Sequence, residues 1–431
     1  MTEGLFDLPC GVNCEVDCEI KNKMETLQSL LVPLQPDAAT QMVQVFFAAW
    51  QKLYQSSEKA KESYAPTIAL PALFDLITSA KYAERQIANG GWTYCAGSDN
   101  EEPALYFPFL KTCPRCSVKR GYKPITKSNK PESDPIGEIA CDATAHIIAE
   151  MLRRLNPNVH IGKISDRQHD VDLVIYDDQI IALGEIKSSP LAVYPLEIKL
   201  AASLTEVLDG ISGTMKDHSA ATAMLTETNL FLYIPHIETR INLGKATSTG
   251  FPFLKLTEFV SEPKNVALLI SAWNDLFQVY AQQRKVRVTR KNPADKRKWL
   301  LCGCGSTVDD SKNAPGMDRT DDIKKGTYQA LKYGAYYKDK CPRRLLRAVL
   351  ISNLLPLHGF SRYLAEMIKI LWTKEQYEVE LNSEIEEVRA FRTDSVFQLY
   401  DALVCLTGSV YNDPWLEENL SYKRFSEKFG I

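Results

Sequence analysis

Two apolar runs, Leu173 to Tyr176 and Ile180 to Ile186, flank the turn-forming Asp177-Asp178-Gln179, a pattern that predicts a β-hairpin. The second run is apolar almost throughout, as expected of a central strand covered on both faces. Upstream, Ile139, Ala143, Ile147, Met151 and Leu155 recur on one face of a helix that opens near Ile136-Gly137-Glu138 and stops at Asn156-Pro157-Asn158. Val159 to Ile164 reads as a strand feeding the hairpin, Leu196 to Leu208 as a helix, and Asn229 to Pro235 as a buried strand. Earlier, residues from Ala38 to Lys59 and from Leu70 to Asn89 are helix-rich. Later, Asp321 to Tyr337 reads as a helix, Leu346 to Ser352 as a strand, and Leu354 to Ile431 as helices rich in Leu, Tyr and Glu. The fold class is α/β in the wider sense (α+β).

Outside its turn, the hairpin carries charge only at its ends. Asp172 precedes the first strand, and Glu185-Ile186-Lys187 closes the second. Residues two apart on a strand share a face, so Glu185 and Lys187 point together, and the hairpin brings Asp172 beside them. Two carboxylates and an ammonium at one sheet edge make a divalent-cation site with a cation beside it, which suits metal-assisted phosphodiester hydrolysis. An ion-paired sheet edge is the plain structural alternative. Glu-x-Lys by itself says little, because the chain holds four: at Glu19, Glu185, Glu197 and Glu262. Glu197-Ile-Lys199 reads as a solvated helix start, and Glu262-Pro-Lys264 opens a helix.

An acid, a spacer and Glu-x-Lys on a hairpin resemble the PD-(D/E)xK nuclease superfamily, which holds most type II restriction endonucleases; Val171 stands where that name has Pro. The resemblance covers roughly residues 136 to 235, extending to the helix and strand between Asp321 and Asn353. It implies a mixed central sheet flanked by helices, with helical N- and C-terminal regions around it. It also implies that Asp172, Glu185 and the backbone carbonyl of Ile186 hold Mg²⁺, that Lys187 orients or deprotonates the attacking water, and that Glu138 adds a further acid. The expected substrate is double-stranded DNA, cut to 5′-phosphate and 3′-hydroxyl ends by a homodimer if the target is palindromic, in a prokaryotic cytoplasm. Gln329 and Tyr333, four apart on one helical face, are similar to the Gln-xxx-Tyr helix of RecB-type nucleases, with Lys324, Lys325 and Arg319 in reach of phosphates. A RecB-like exonuclease, including the CRISPR-associated iron–sulfur kind, and an inert zinc-containing DNA-binding protein remain the alternatives.

Composition changes this picture little. The chain has 431 residues, a net charge of −3, 45% hydrophobic and 24% charged residues. A net negative charge argues against indiscriminate coating of nucleic acid, but the run Arg284, Lys285, Arg287, Arg290 supplies a local basic surface for phosphates or groove edges. No apolar run is long enough to span a membrane, and the first residues lack the basic region of a signal peptide. Eleven cysteines without a secretory signal suggest metal binding or free thiols. Cys113-Pro-Arg-Cys116 looks like half of a structural Zn²⁺ site, with Cys95 the nearest further ligand and Cys10, Cys14, Cys18, Cys141 or the Cys302/Cys304 pair as others. His146 reads as a core histidine and His169 as a surface one. Three regions follow: 1–125, helical with the Cys113/Cys116 loop; 126–352, the nuclease domain with an insertion at about 240–320; and 353–431, helical.

Overall fold

The hairpin forms where the pattern places it, because Asp177 closes its turn. The Asp177 carboxylate accepts from the Ile180 N–H at 2.7 Å, and the Asp177 N–H donates to the Ile180 carbonyl at 3.0 Å. The computed structural model describes residues 31–89, 92–95, 102–107, 114–115, 133–164, 171–177, 180–199, 214–215, 228–282, 315–318, 320–338, 346–357, 360–373, 381–382, 385–386, 396–398 and 400–428.

In chain order, β1 (Leu31–Pro33) precedes helices α1 (Ala38–Tyr54), α2 (Glu58–Ser63) and α3 (Pro66–Asn89). Strands β2 (Trp92–Cys95) and β3 (Ala104–Phe107) lead to helix α4 (Ser133–Leu155) and the strands β4 (His160–Ile164), β5 (Leu173–Tyr176) and β6 (Ile181–Ile186). Then come β7 (Leu196–Lys199), β8 (Thr214–Met215), β9 (Leu230–Ile234), β10 (Thr239–Gly244) and helices α5 (Phe253–Val260) and α6 (Pro263–Gln282). Helix α7 (Thr320–Tyr337) and strand β11 (Leu346–Ser352) follow. The C-terminal part holds β12 (Leu371–Thr373), β13 (Leu381–Asn382), β14 (Ile385–Glu386), β15 (Val396–Gln398), β16 (Ala402–Cys405), β17 (Val410–Tyr411), α8 (Pro414–Leu420) and α9 (Tyr422–Lys428).

The chain is a mixed α/β protein with two main sheets. The central one has the order β1-β4-β5-β6-β11-β16-β17; β4, β5 and β6 run antiparallel, while β11 and β16 run parallel to β6. Alternation along these strands fills two layers. Leu173, Ile175, Ala182, Ile186, Val349 and Ile351 meet Ala145, Ile148 and Leu152 of α4 and Leu416 and Leu420 of α8. Val174, Tyr176, Ile181, Leu183, Ala348 and Leu350 face the other way, onto Ile323 and Ala330 of α7. The second sheet, β10-β9-β7-β3-β2-β8, packs its inner face on α1, α3, α5 and α6.

Leu196 to Lys199 is a strand, not the start of a helix, because Leu196 and Ile198 bury in the core while β3 and β9 pair on either side. Glu197 is accordingly no solvated face: it is 1% exposed and takes hydrogen bonds from Tyr106 Oη at 2.9 Å and Arg240 Nε at 2.6 Å. The strand after the hairpin in the central sheet is β11, while Leu230–Ile234 belongs to the second sheet. The C-terminal region is not helical throughout, since Ala402–Cys405, buried at every position, inserts as a parallel strand beside β11.

The apolar face read on α4 also points elsewhere than to the central sheet. Ile139, Ala143, Ile147, Met151 and Leu155 pack into the core of α1, α3 and the second sheet, so α4 is buried from two sides. Elements on either side of residue 125 share sheets, β1 with β4 and β3 with β7. Among the described residues, no helix is long and apolar enough to cross a membrane.

Candidate active site

Pairing register puts Leu173 opposite Gly184, which leaves Asp172 at the sheet edge facing Glu185. The Asp172 N–H donates to the Gly184 carbonyl at 3.0 Å, and Asp172 Oδ2 accepts from the Ile186 N–H at 2.8 Å. Gly184 is required by close approach: a Cβ there would lie 2.9 Å from Ile351 Cδ1 and 3.3 Å from the Leu173 carbonyl oxygen. Beyond the strand end, the Lys187 N–H donates to the Ile351 carbonyl at 2.8 Å, so β11 continues to hold the chain where its chemistry lies.

Asp172, Glu185 and Lys187 therefore come together as the sequence suggested. Lys187 Nζ is ion-paired with Glu185, whose side chain is almost fully buried, and a hydrogen bond joins Glu185 to Asp172. Burial pushes the Asp172 carboxyl above its usual range, although the Ile186 N–H, Lys187, Glu185 and Lys163 all pull it back. Burial also works against the charge on Lys187, yet Glu185, Asp172 and Asp322 outweigh it and hold its ammonium above the ordinary range. Two buried carboxylates sharing a hydrogen bond beside one ammonium form a pair that a divalent cation would complete electrostatically.

Helix α4 brings acids to the same edge. Glu138 is 46% exposed and sits 3.5 Å from Arg85 of α3. One turn on, Asp142, which sequence reasoning did not single out, is ion-paired with Lys163 and lies 3.6 Å from Lys81. Its i+4 spacing from Glu138 was the available signal. Lys163, also unremarked in the sequence, links the two clusters, since it is close enough to Asp172 to favour the ionised carboxylate. Cys141 lies here too; burial pushes its thiol up, and Asp172, Asp142 and Glu185 add to the effect.

Helix α7 covers Lys187 from the other side. A Cβ at Gly326 would stand 3.0 Å from Lys187 Cγ and 2.8 Å from Leu350 Cδ1, so only glycine lets the helix lie this close. Asp322, one turn earlier, bears its charge toward Lys187. Gln329 is on α7 and half-buried; Tyr333 is on the same helix, with its side chain outside the described residues. Lys324 and Lys325 are exposed on α7.

Other expected site residues fall elsewhere. Arg284, Lys285, Arg287, Arg290 and Arg319 lie outside the described residues, as do Cys113, Cys116, Cys10, Cys14, Cys18, Cys302, Cys304 and His169. Cys95 is buried on β2. Arg115, between Cys113 and Cys116 in sequence, donates to the Cys95 carbonyl at 3.4 Å and to the Glu102 carbonyl at 2.6 Å. His146 is buried, with Nδ1 3.1 Å from Thr40 Oγ1, as a core histidine. Among the described residues no group of three or more His, Cys, Asp or Glu is arranged to hold a metal ion.

One consequence concerns stability. A carboxyl whose folded-state pKa is raised makes the native state lose stability as pH climbs through that value. Asp172→Asn keeps an acceptor for the Ile186 N–H and supplies a donor for Glu185, so it is expected to stabilise the metal-free protein in mild alkali. The gain is on the order of 1 kcal/mol per pKa unit of elevation and vanishes in acid, where the wild-type carboxyl is protonated in both states. Thermal melts at the two pH values check this; a variant less stable than wild type in alkali would refute the assignment.

No family model, curated protein or solved structure matches the chain.

Proposed function

We propose that the protein is a Mg²⁺-dependent nuclease that hydrolyses phosphodiester bonds of double-stranded DNA at specific sites, with a PD-(D/E)xK core. The observation that carries this reading is the meeting of Asp172, Glu185 and Lys187 at one sheet edge. The chain order around them agrees: a helix, three antiparallel strands, a second helix and a strand parallel to the third, namely α4, β4, β5, β6, α7 and β11. An intact acid pair with its lysine argues against an inert DNA-binding scaffold.

Asp172 and Glu185 would hold the metal, which, when bound, neutralises charge on the phosphate and lowers the pKa of a coordinated water. Two carboxylates suffice for Mg²⁺, which keeps several waters and uses substrate oxygens for the rest. The Ile186 N–H fixes one oxygen of Asp172, so the carboxylate enters with its orientation set. Lys187, released from Glu185, would place its ammonium against the attacking water and the developing charge. Asp142 and Glu138 are the acids on α4 nearest this edge, the former held between Lys163 and Lys81. A palindromic target would call for a homodimer, by two-fold symmetry.

A RecB-like exonuclease is the second reading, favoured by the position of α7, whose Gly326 touches Lys187 and whose Gln329 lies one turn further along. One experiment separates them. Purified protein with Mg²⁺ is expected to cut closed circular plasmid into discrete linear fragments, and EDTA abolishes this. Degradation of linear DNA alone would move the assignment to the exonuclease. No cleavage of methylated or unmethylated DNA would remove the catalytic reading. A structural Zn²⁺ at Cys113, Cys116 and Cys95 is part of the proposal, supported by the seating of Arg115 on the Cys95 strand.

A further inference from the structure

Helix α7 has a face that the catalytic residues do not use. Its sheet side buries Ile323, Thr327 and Ala330, and Gly326 lies against Lys187. The opposite side carries Asp321, Lys324, Lys325, Tyr328 and Lys332, all exposed. Tyr328 leaves 66% of its surface to solvent, more than any other large hydrophobic side chain among the described residues. Lys324 and Lys325 stand four and three positions before it, on the same helical rows, and Asp321 is the one acid on this exposed side of the helix.

An open aromatic ring among lysines has the chemistry of a nucleic-acid stacking platform: the ring takes the face of a base while the ammonium groups meet the flanking phosphates. The interior of a duplex hides its base faces in the stack, so the ring suits an unpaired strand. We propose that the exposed face of α7 docks an unpaired nucleic-acid strand, with Tyr328 stacked on a base and Lys324 and Lys325 on neighbouring phosphates. The helix is about 10 Å across, the length of roughly three stacked nucleotides, so a strand seated here leads to the Lys187 side within that distance. Only this last step rests on the nuclease reading; the docking surface stands on exposure and charge. It differs from duplex phosphate contact in requiring the ring.

Fluorescence anisotropy tests it, with the full chain in EDTA and two probes: a short 5′-labelled oligo(dT) and a hairpin duplex of equal length. The oligo(dT) is expected to bind through the Tyr328 ring and the duplex without it. Tyr328→Ala weakens that binding about 5- to 150-fold, and Tyr328→Phe, which keeps the ring, restores it. Lys324→Gln and Lys325→Gln each reduce the slope of log K against log salt by about 0.7. Melting curves confirm that the variants fold. Oligo(dT) binding unchanged in Tyr328→Ala, or duplex binding weakened by that variant as much as oligo(dT) binding, overturns the proposal. Cleavage is scored separately. Tyr328-dependent binding by a wild type that cleaves nothing would sink the nuclease reading and leave this one. Cleavage that needs Lys187, with binding indifferent to Tyr328, would do the reverse.

Discussion

Replacing Lys187 with alanine is expected to lower Mg²⁺-dependent DNA cleavage at least about 100-fold, by analogy with the loss of one preorganised electrostatic donor. In the proposed mechanism the effect falls on kcat more than on KM, because the ammonium would act on charge that develops during attack rather than on bound substrate. The backbone at this position is held by the Lys187 N–H to the Ile351 carbonyl, an interaction that any side chain leaves intact. The fold should therefore survive, and a melt in parallel with the assay checks that it does. Lys187→Arg is not expected to rescue. Gly326 already stands against the Lys187 stem, and a planar fork cannot substitute for a point charge at the end of a confined chain. A Lys187→Ala protein that keeps more than about a tenth of wild-type kcat would remove Lys187 from the reaction, since a loss that small is below what one such donor supplies.

The second large effect lies behind the site. Asp75 of α3 is fully buried, and its carboxylate accepts from the Leu191 N–H at 3.1 Å, the Ala192 N–H at 2.8 Å and Trp273 Nε1 at 2.9 Å. With Ser188 Oγ 2.9 Å from Thr144 Oγ1, and Asn353 taking the Ser189 N–H at 3.0 Å, these bonds fix the chain as it leaves Lys187. Asp75→Ala strands all three donors. The expected loss is about 1–3 kcal/mol or more, since each buried donor left unmatched costs about that much. Denaturant unfolding measures it.

The pH dependence has a definite sign. Burial pushes the Asp75 carboxyl up to about 8, despite its three donors. Because the folded-state value is raised, the native state holds this proton after the unfolded chain has lost it. The contribution is complete below the usual carboxylate pKa and is lost as pH rises toward about 8. The deficit of Asp75→Ala is thus expected to be largest in acid and to narrow toward that pH. A deficit that widens with pH would show that Asp75 is ionised throughout.

Much of the site was legible in the chain. Two apolar runs and a polar turn specify the β5–β6 hairpin, and period two along a strand sets Glu185 and Lys187 on one face, with Asp172 opposite by register. These are local facts: each needs only the neighbours of a residue in sequence. Helix α4 was legible for the same reason, from its period and its stop at Asn156-Pro157.

The rest depended on contacts between distant segments. Whether Leu196–Lys199 is helix or strand was settled by β3 and β9 pairing beside it, and the buried Glu197 by Tyr106 and Arg240, 91 and 43 residues away. The strand that closes the sheet on β6 is β11, and Asn353 reaches Ser189 across 164 residues. Asp75 and Lys163 carry no periodic signature, and Asp142 only its spacing from Glu138, because a single polar residue in a helix or strand looks alike whether it meets water or a buried partner. Local sequence determined the elements and the chemistry on the hairpin. Only tertiary packing decided which elements surround it, because burial and long-range pairing override local propensity wherever the two disagree.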